Sequence, residues 1–85
     1  MPDKMRHIAS AVVKARPADQ DAVVAHIATV SGAEVAAAER GRIIVVLEAA
    51  ADADIADSLN RIAALDGVLS TTLVFEHAEP EGDLA

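Results

Sequence analysis

Arg42-Ile43-Ile44-Val45-Val46-Leu47-Glu48-Ala49 is an aliphatic run with a charge near each end, preceded by the turn signal Arg40-Gly41. So short an apolar run bounded by a turn reads as the strongest strand of the chain, and it is far too short to span a bilayer. Displaced by 35 residues, the chain lies on itself around this strand without a gap. Ile8, Ala15, Ala18, Asp19, Ile27, Ala28 and Gly32 fall on Ile43, Ala50, Ala53, Asp54, Ile62, Ala63 and Gly67. A repeat that occurs only twice is no solenoid, which needs three or more stacked units. It predicts two copies of strand-helix-strand closing one core. That is the β-α-β-β-α-β, ferredoxin-like plan: an α+β sandwich with a four-stranded antiparallel sheet and both helices on one face.

The remaining elements follow from local chemistry. Arg6 to Ala15 is rich in Ile and Val, and Pro17 suits the first turn of the helix that follows. Val23, Ile27 and Val30, with Val24 beside them, form an apolar stripe at helical spacing, and Gly32 suits the residue that ends a helix. A second strand is expected over 33–39. Asp52 is a good N-cap for the second helix, whose buried face is Ile55, Leu59, Ile62 and Leu65. Gly67 stops it, and Val68 to His77 is the last strand. One domain is expected over 1–77. The segment 78–85, with Glu79, Glu81 and Asp83, reads as an acidic disordered tail.

Composition narrows the function classes. The chain has 85 residues, enough for one small domain in which deep clefts are hard to build. Its formal charge of −7 argues against nucleic acid and suits a basic partner or plain solubility. With no cysteine, disulfides, thiolate metal sites and thiol catalysis are excluded. The start Met1-Pro2-Asp3-Lys4-Met5-Arg6 has no apolar signal-peptide core, so a cytoplasmic location is expected.

Catalytic signals are weak. Ser10, Ser70, Thr71 and Thr72 have no base at a recognisable spacing, and the glycines form no phosphate-cradling loop. His7, near the start of the first strand, and His77, at the end of the fourth, approach each other if those strands are antiparallel neighbours. With Glu76 they make a thin metal hypothesis, since stable sites want three or four ligands. Solvated strand-end histidines are the commoner arrangement, and no metal or cofactor is expected.

The signal that stands out is apolar excess on the sheet. An open antiparallel face should alternate apolar with polar residues, and these strands do not. The repeat places Ile8, Ser10 and Val12 with Ile43, Val45 and Leu47. It leaves Ala9, Ala11 and Val13 with Ile44, Val46 and Glu48, and Glu34 with Leu69, Thr71, Leu73 and Phe75. The set holding Glu34 and Glu48 is assigned to the open face, because burying unpaired carboxylates is costly. A bulge in any strand would exchange faces beyond it. Glu34 and Glu48 become cross-strand neighbours if the hairpin loop has three residues, which makes them a landing site for Arg or Lys. Contiguous apolar patches of this kind mark interaction surfaces. Two occupants suit the face: a segment of a partner laid over the sheet, or a second copy stacked sheet to sheet as a weak homodimer.

Ser10-Ala11-Val12-Val13-Lys14-Ala15, Gly32-Ala33-Glu34-Val35, Gly41-Arg42-Ile43-Ile44-Val45-Val46-Leu47-Glu48 and Gly67-Val68-Leu69-Ser70-Thr71-Thr72-Leu73-Val74-Phe75 resemble, in order and spacing, the NapD family. The resemblance covers about residues 6 to 77. The first strand, Ile8-Ala9-Ser10-Ala11, carries smaller residues than members usually do. The resemblance implies a cytoplasmic chaperone for the catalytic subunit of periplasmic nitrate reductase. Such a protein binds the twin-arginine signal peptide of the precursor and restrains export until the molybdenum cofactor is in place. It is not an enzyme and holds no metal. The implied peptide site is the open face: Ala9, Ala11, Val13, Glu34, Ile44, Val46, Glu48, Leu69, Thr71, Leu73 and Phe75. The competing class is a ferredoxin-like regulatory domain that binds a small molecule as a homodimer.

Overall fold

A computed structural model of the chain describes residues 5–80. Strand β1 (Met5–Ala15) leads through a single 3₁₀ turn (Pro17–Asp19) into helix α1 (Gln20–Ile27). Then come β2 (Ala33–Glu39), β3 (Arg42–Ala49), helix α2 (Asp52–Ala63) and β4 (Val68–Pro80). The four strands form one antiparallel sheet in the order β2-β3-β1-β4. This is the ferredoxin-like arrangement the repeat predicts.

Pro17 opens the 3₁₀ turn, where its missing N–H is not needed. Val23 and Ile27 of α1, and Ile55 and Ile62 of α2, turn onto the sheet and are buried. They meet Ile43, Val45 and Leu47 of β3, and Ala9, Val13 and Ala15 of β1. Val24, Val35, Leu59, Leu65 and Val68 close the margins of this core. Among the described residues, no polar or charged side chain is buried. The core is therefore held by apolar burial alone, at about 25 cal/mol for each Å² removed from water.

Four expectations need correction, and the first three concern strand register. The first is β1. Ala9, Ala11 and Val13 are fully buried, opposite Leu47, Val45 and Ile43 on the helix side. Ile8, Ser10 and Val12, opposite Glu48, Val46 and Ile44, lie on the open side. The buried positions of both β1 and β3 are odd-numbered, so a displacement of 35 sets each buried residue of one strand on an open-side residue of the other. A one-residue slip exchanges the faces of a strand.

The second is β4, whose pairing with β1 shifts between Lys14 and Ala15 and again between Ser10 and Ala11, leaving Leu69 and Val74 as extra residues. Thr71 and Leu73 therefore oppose Val13 and Ala11 on the helix side, and Phe75 opposes Ser10 on the open side. The third is the β2–β3 hairpin. Its loop has two residues, Arg40 (φ 55°) and Gly41 (φ 83°), closed by the pair Glu39 and Arg42. Positive φ at both positions is the turn that matches strand twist. With a further irregularity at Ala36, Glu34 comes to oppose Val46, and Glu48 is its diagonal neighbour.

The fourth concerns the ends of elements. Strand β4 continues through Pro80, so Ala78, Glu79 and Pro80 pair with His7, Arg6 and Met5 where a disordered tail was expected. The rest of that tail, 81–85, lies outside the described residues. Asp52 is the first helical residue of α2, not its cap, a position held by Ala51.

Candidate functional site

The register arranges the open face as rows running across the sheet. Glu34, Val46, Ser10 and Phe75 form one row; Ile44, Val12 and Thr72 form the next. Ile8 lies between Glu48 and His77 on the other side of the first row. Ile8, Val12, Ile44 and Val46 are half-buried by one another, while Phe75 keeps 57% of its surface exposed. The result is an apolar strip across three strands, with no helix over it.

Charge is distributed unevenly around this strip. At one end stand Glu48 and, diagonally, Glu34, both exposed. At the same end Arg6 approaches Glu79 at 3.5 Å, and the His77 ring lies 3.4 Å from Glu79. The His77 ring also stacks near Phe75, with centroids 6.3 Å apart and planes inclined by 17°. The opposite end carries Lys14 and Arg42, which are register partners. Glu34 and Glu48 have no ion-pair partner among the described residues. Two free carboxylates beside an apolar strip form a surface suited to a ligand with a basic and an apolar part.

Of the residues expected to form the site, Glu34, Ile44, Val46, Glu48 and Phe75 are brought together on the open face. Ala9, Ala11 and Val13 are not, because they lie in the core. Thr71 and Leu73 point to the helix side of edge strand β4, and Leu69 sits in a bulge with 60% of its surface exposed. Ile8, Ser10, Val12 and Thr72 take the places so vacated. The signal for them lies in Arg6 and Lys14, which share alternation with Ile8, Ser10 and Val12 and are costly to bury.

Comparison with known proteins bears on this surface. The pattern of the family described as NapD protein matches residues 6–80. The chain belongs to the NapD family. It is 40% identical over 74 residues to Chaperone NapD of Paracoccus pantotrophus, an alignment that takes in 87% of this chain and 66% of that protein. Its fold superposes on the solution structure of the E. coli Tat proofreading chaperone protein NapD with a TM-score of 0.79 and 26% identity. That match covers 94% of this chain and 86% of the other. These NapD relatives are named as chaperones, a role without catalysis. No helix among the described residues is long and apolar enough to cross a membrane.

Proposed function

We propose that this protein is a chaperone that binds the twin-arginine signal peptide of a periplasmic nitrate reductase precursor and restrains its export until cofactor insertion. The observation that carries the reading is the uncovered apolar strip of Ile8, Val12, Ile44, Val46 and Phe75 with free carboxylates at one end. A signal peptide joins a basic segment to an apolar one. Folded as a helix, it lays its apolar side in the strip and brings its arginines to Glu34 and Glu48, away from Lys14 and Arg42. NapD family membership supports the same reading. The role belongs in the cytoplasm, before export.

Calorimetric titration with a synthetic twin-arginine signal peptide tests it. Expected is one peptide bound per chain, with binding lost when the apolar stretch of the peptide is made polar. Absence of binding, or equal binding of the polar-substituted peptide, would count against the proposal.

A further inference from the structure

On the other side of the sheet, the register separates His7 from His77. His7 pairs with Ala78 and shares the helix side with Ala9, whereas His77 pairs with Ile8 on the open face. The His7 ring instead meets two carboxylates. Glu76 opposes Ala9 on β4, and Asp52 begins α2 above the same end of the sheet. One ligand atom from each of His7, Asp52 and Glu76 lies within 4.8 Å of the other two. The geometry points to a binding site for a divalent transition-metal cation formed by His7, Asp52 and Glu76.

Two features support it. The donors come from three elements far apart in sequence, so folding alone assembles them. One imidazole with two carboxylates suits zinc and its first-row neighbours. Tetrahedral zinc, with bonds of about 2.0 to 2.2 Å, holds its ligand atoms roughly 3.3 to 3.6 Å apart. Exposed Asp52 and Glu76 side chains reach that spacing by small rotations, and their exposure leaves the remaining positions to water.

The second feature is missing compensation. None of the ion pairs among the described residues involves Asp52 or Glu76, although the two carboxylates face each other. The dipole of α2 favours a negative charge at Asp52 but does nothing comparable for Glu76.

Zinc titration of the full, tag-free chain, followed by calorimetry and thermal melting, tests the site. Expected is one zinc per chain and a raised melting temperature. Asp52→Asn and Glu76→Gln should each weaken zinc binding by more than about tenfold, since even the loss of an outer-shell partner costs about 10- to 100-fold. Both changes are on exposed side chains, and in the absence of metal Glu76→Gln should melt no lower than the parent because a like-charge contact is removed, while Asp52→Asn also gives up a favourable charge at the start of α2. His26→Gln and His77→Gln should bind zinc as the parent does. Peptide binding on the opposite sheet face should be unaffected by zinc, so failure here is separable from failure of the proposed function. Absence of zinc binding by the parent chain, or undiminished binding by Asp52→Asn and Glu76→Gln, overturns the assignment.

Discussion

At Gly41 the backbone turns with φ at 83° while its carbonyl accepts the Ala15 N–H at 2.8 Å and its own N–H donates to Gln20 Oε1 at 2.6 Å. A Cβ at this position would collide with the Ala15 carbonyl oxygen. Gly41→Ala should therefore destabilise the protein by at least the about 1 to 2 kcal/mol that a left-handed backbone costs an L-residue. Urea unfolding measures this, and an unchanged midpoint would contradict the geometry. Adjacent residues of β3 divide stability from binding in the same way. Val45 is fully buried and Val46 is on the open face. Val45→Asp places an unpaired charge in the core and should unfold a domain whose total stability is about 5 to 15 kcal/mol. Val46→Asp and Val12→Asp should leave circular dichroism nearly native yet abolish peptide binding.

At the scale of elements, helices were more legible than strand faces. Val23 and Ile27, and Ile55, Leu59 and Ile62, mark the buried sides of α1 and α2 because helical periodicity leaves little freedom, while Val30 and Leu65 of the same stripes lie just past the helix ends. Strand β1 is different. Both its sides are apolar or small, so Ala9, Ala11 and Val13 look as suitable for the open face as Ile8 and Val12. The repeat then carries the wrong parity, because a displacement of 35 places the odd-numbered buried positions of β3 on even-numbered, open-side positions of β1. In β4 the bulges at Leu69 and Val74 break alternation, each beside another apolar residue, Val68 or Leu73, and neither bulge residue is a proline or glycine. Register in the hairpin depended on a single residue of loop length. Five of the eleven expected site residues survive on the open face, and all five lie on β2, β3 or the far half of β4, where the charges Glu34 and Glu48 or the open-face register of Phe75 anchor them.

For the whole molecule, the two sides of the sheet carry separate assignments: peptide on the open face, cation beside α2. The acidic body and the apolar strip contribute unequally to peptide capture. Exposed ion pairs are worth roughly 0 to 1 kcal/mol each, whereas burying one large apolar side chain contributes about 1.5 to 3 kcal/mol. Glu34→Gln combined with Glu48→Gln should weaken peptide binding about threefold to thirtyfold, corresponding to about 0.6 to 2 kcal/mol. That loss should shrink at high salt, where screening already weakens the pairs. A parent affinity that collapses with salt would show instead that charge dominates.

The claim that the uncovered sheet face holds a signal peptide is tested most directly by nuclear magnetic resonance of the isotopically labelled protein titrated with a synthetic twin-arginine signal peptide. The account predicts that the largest shifts fall on Ile8, Val12, Ile44, Val46 and Phe75, with Glu34 and Glu48 following the arginines. Shifts confined to α1 and α2, or a spectrum the peptide leaves unchanged, would contradict it.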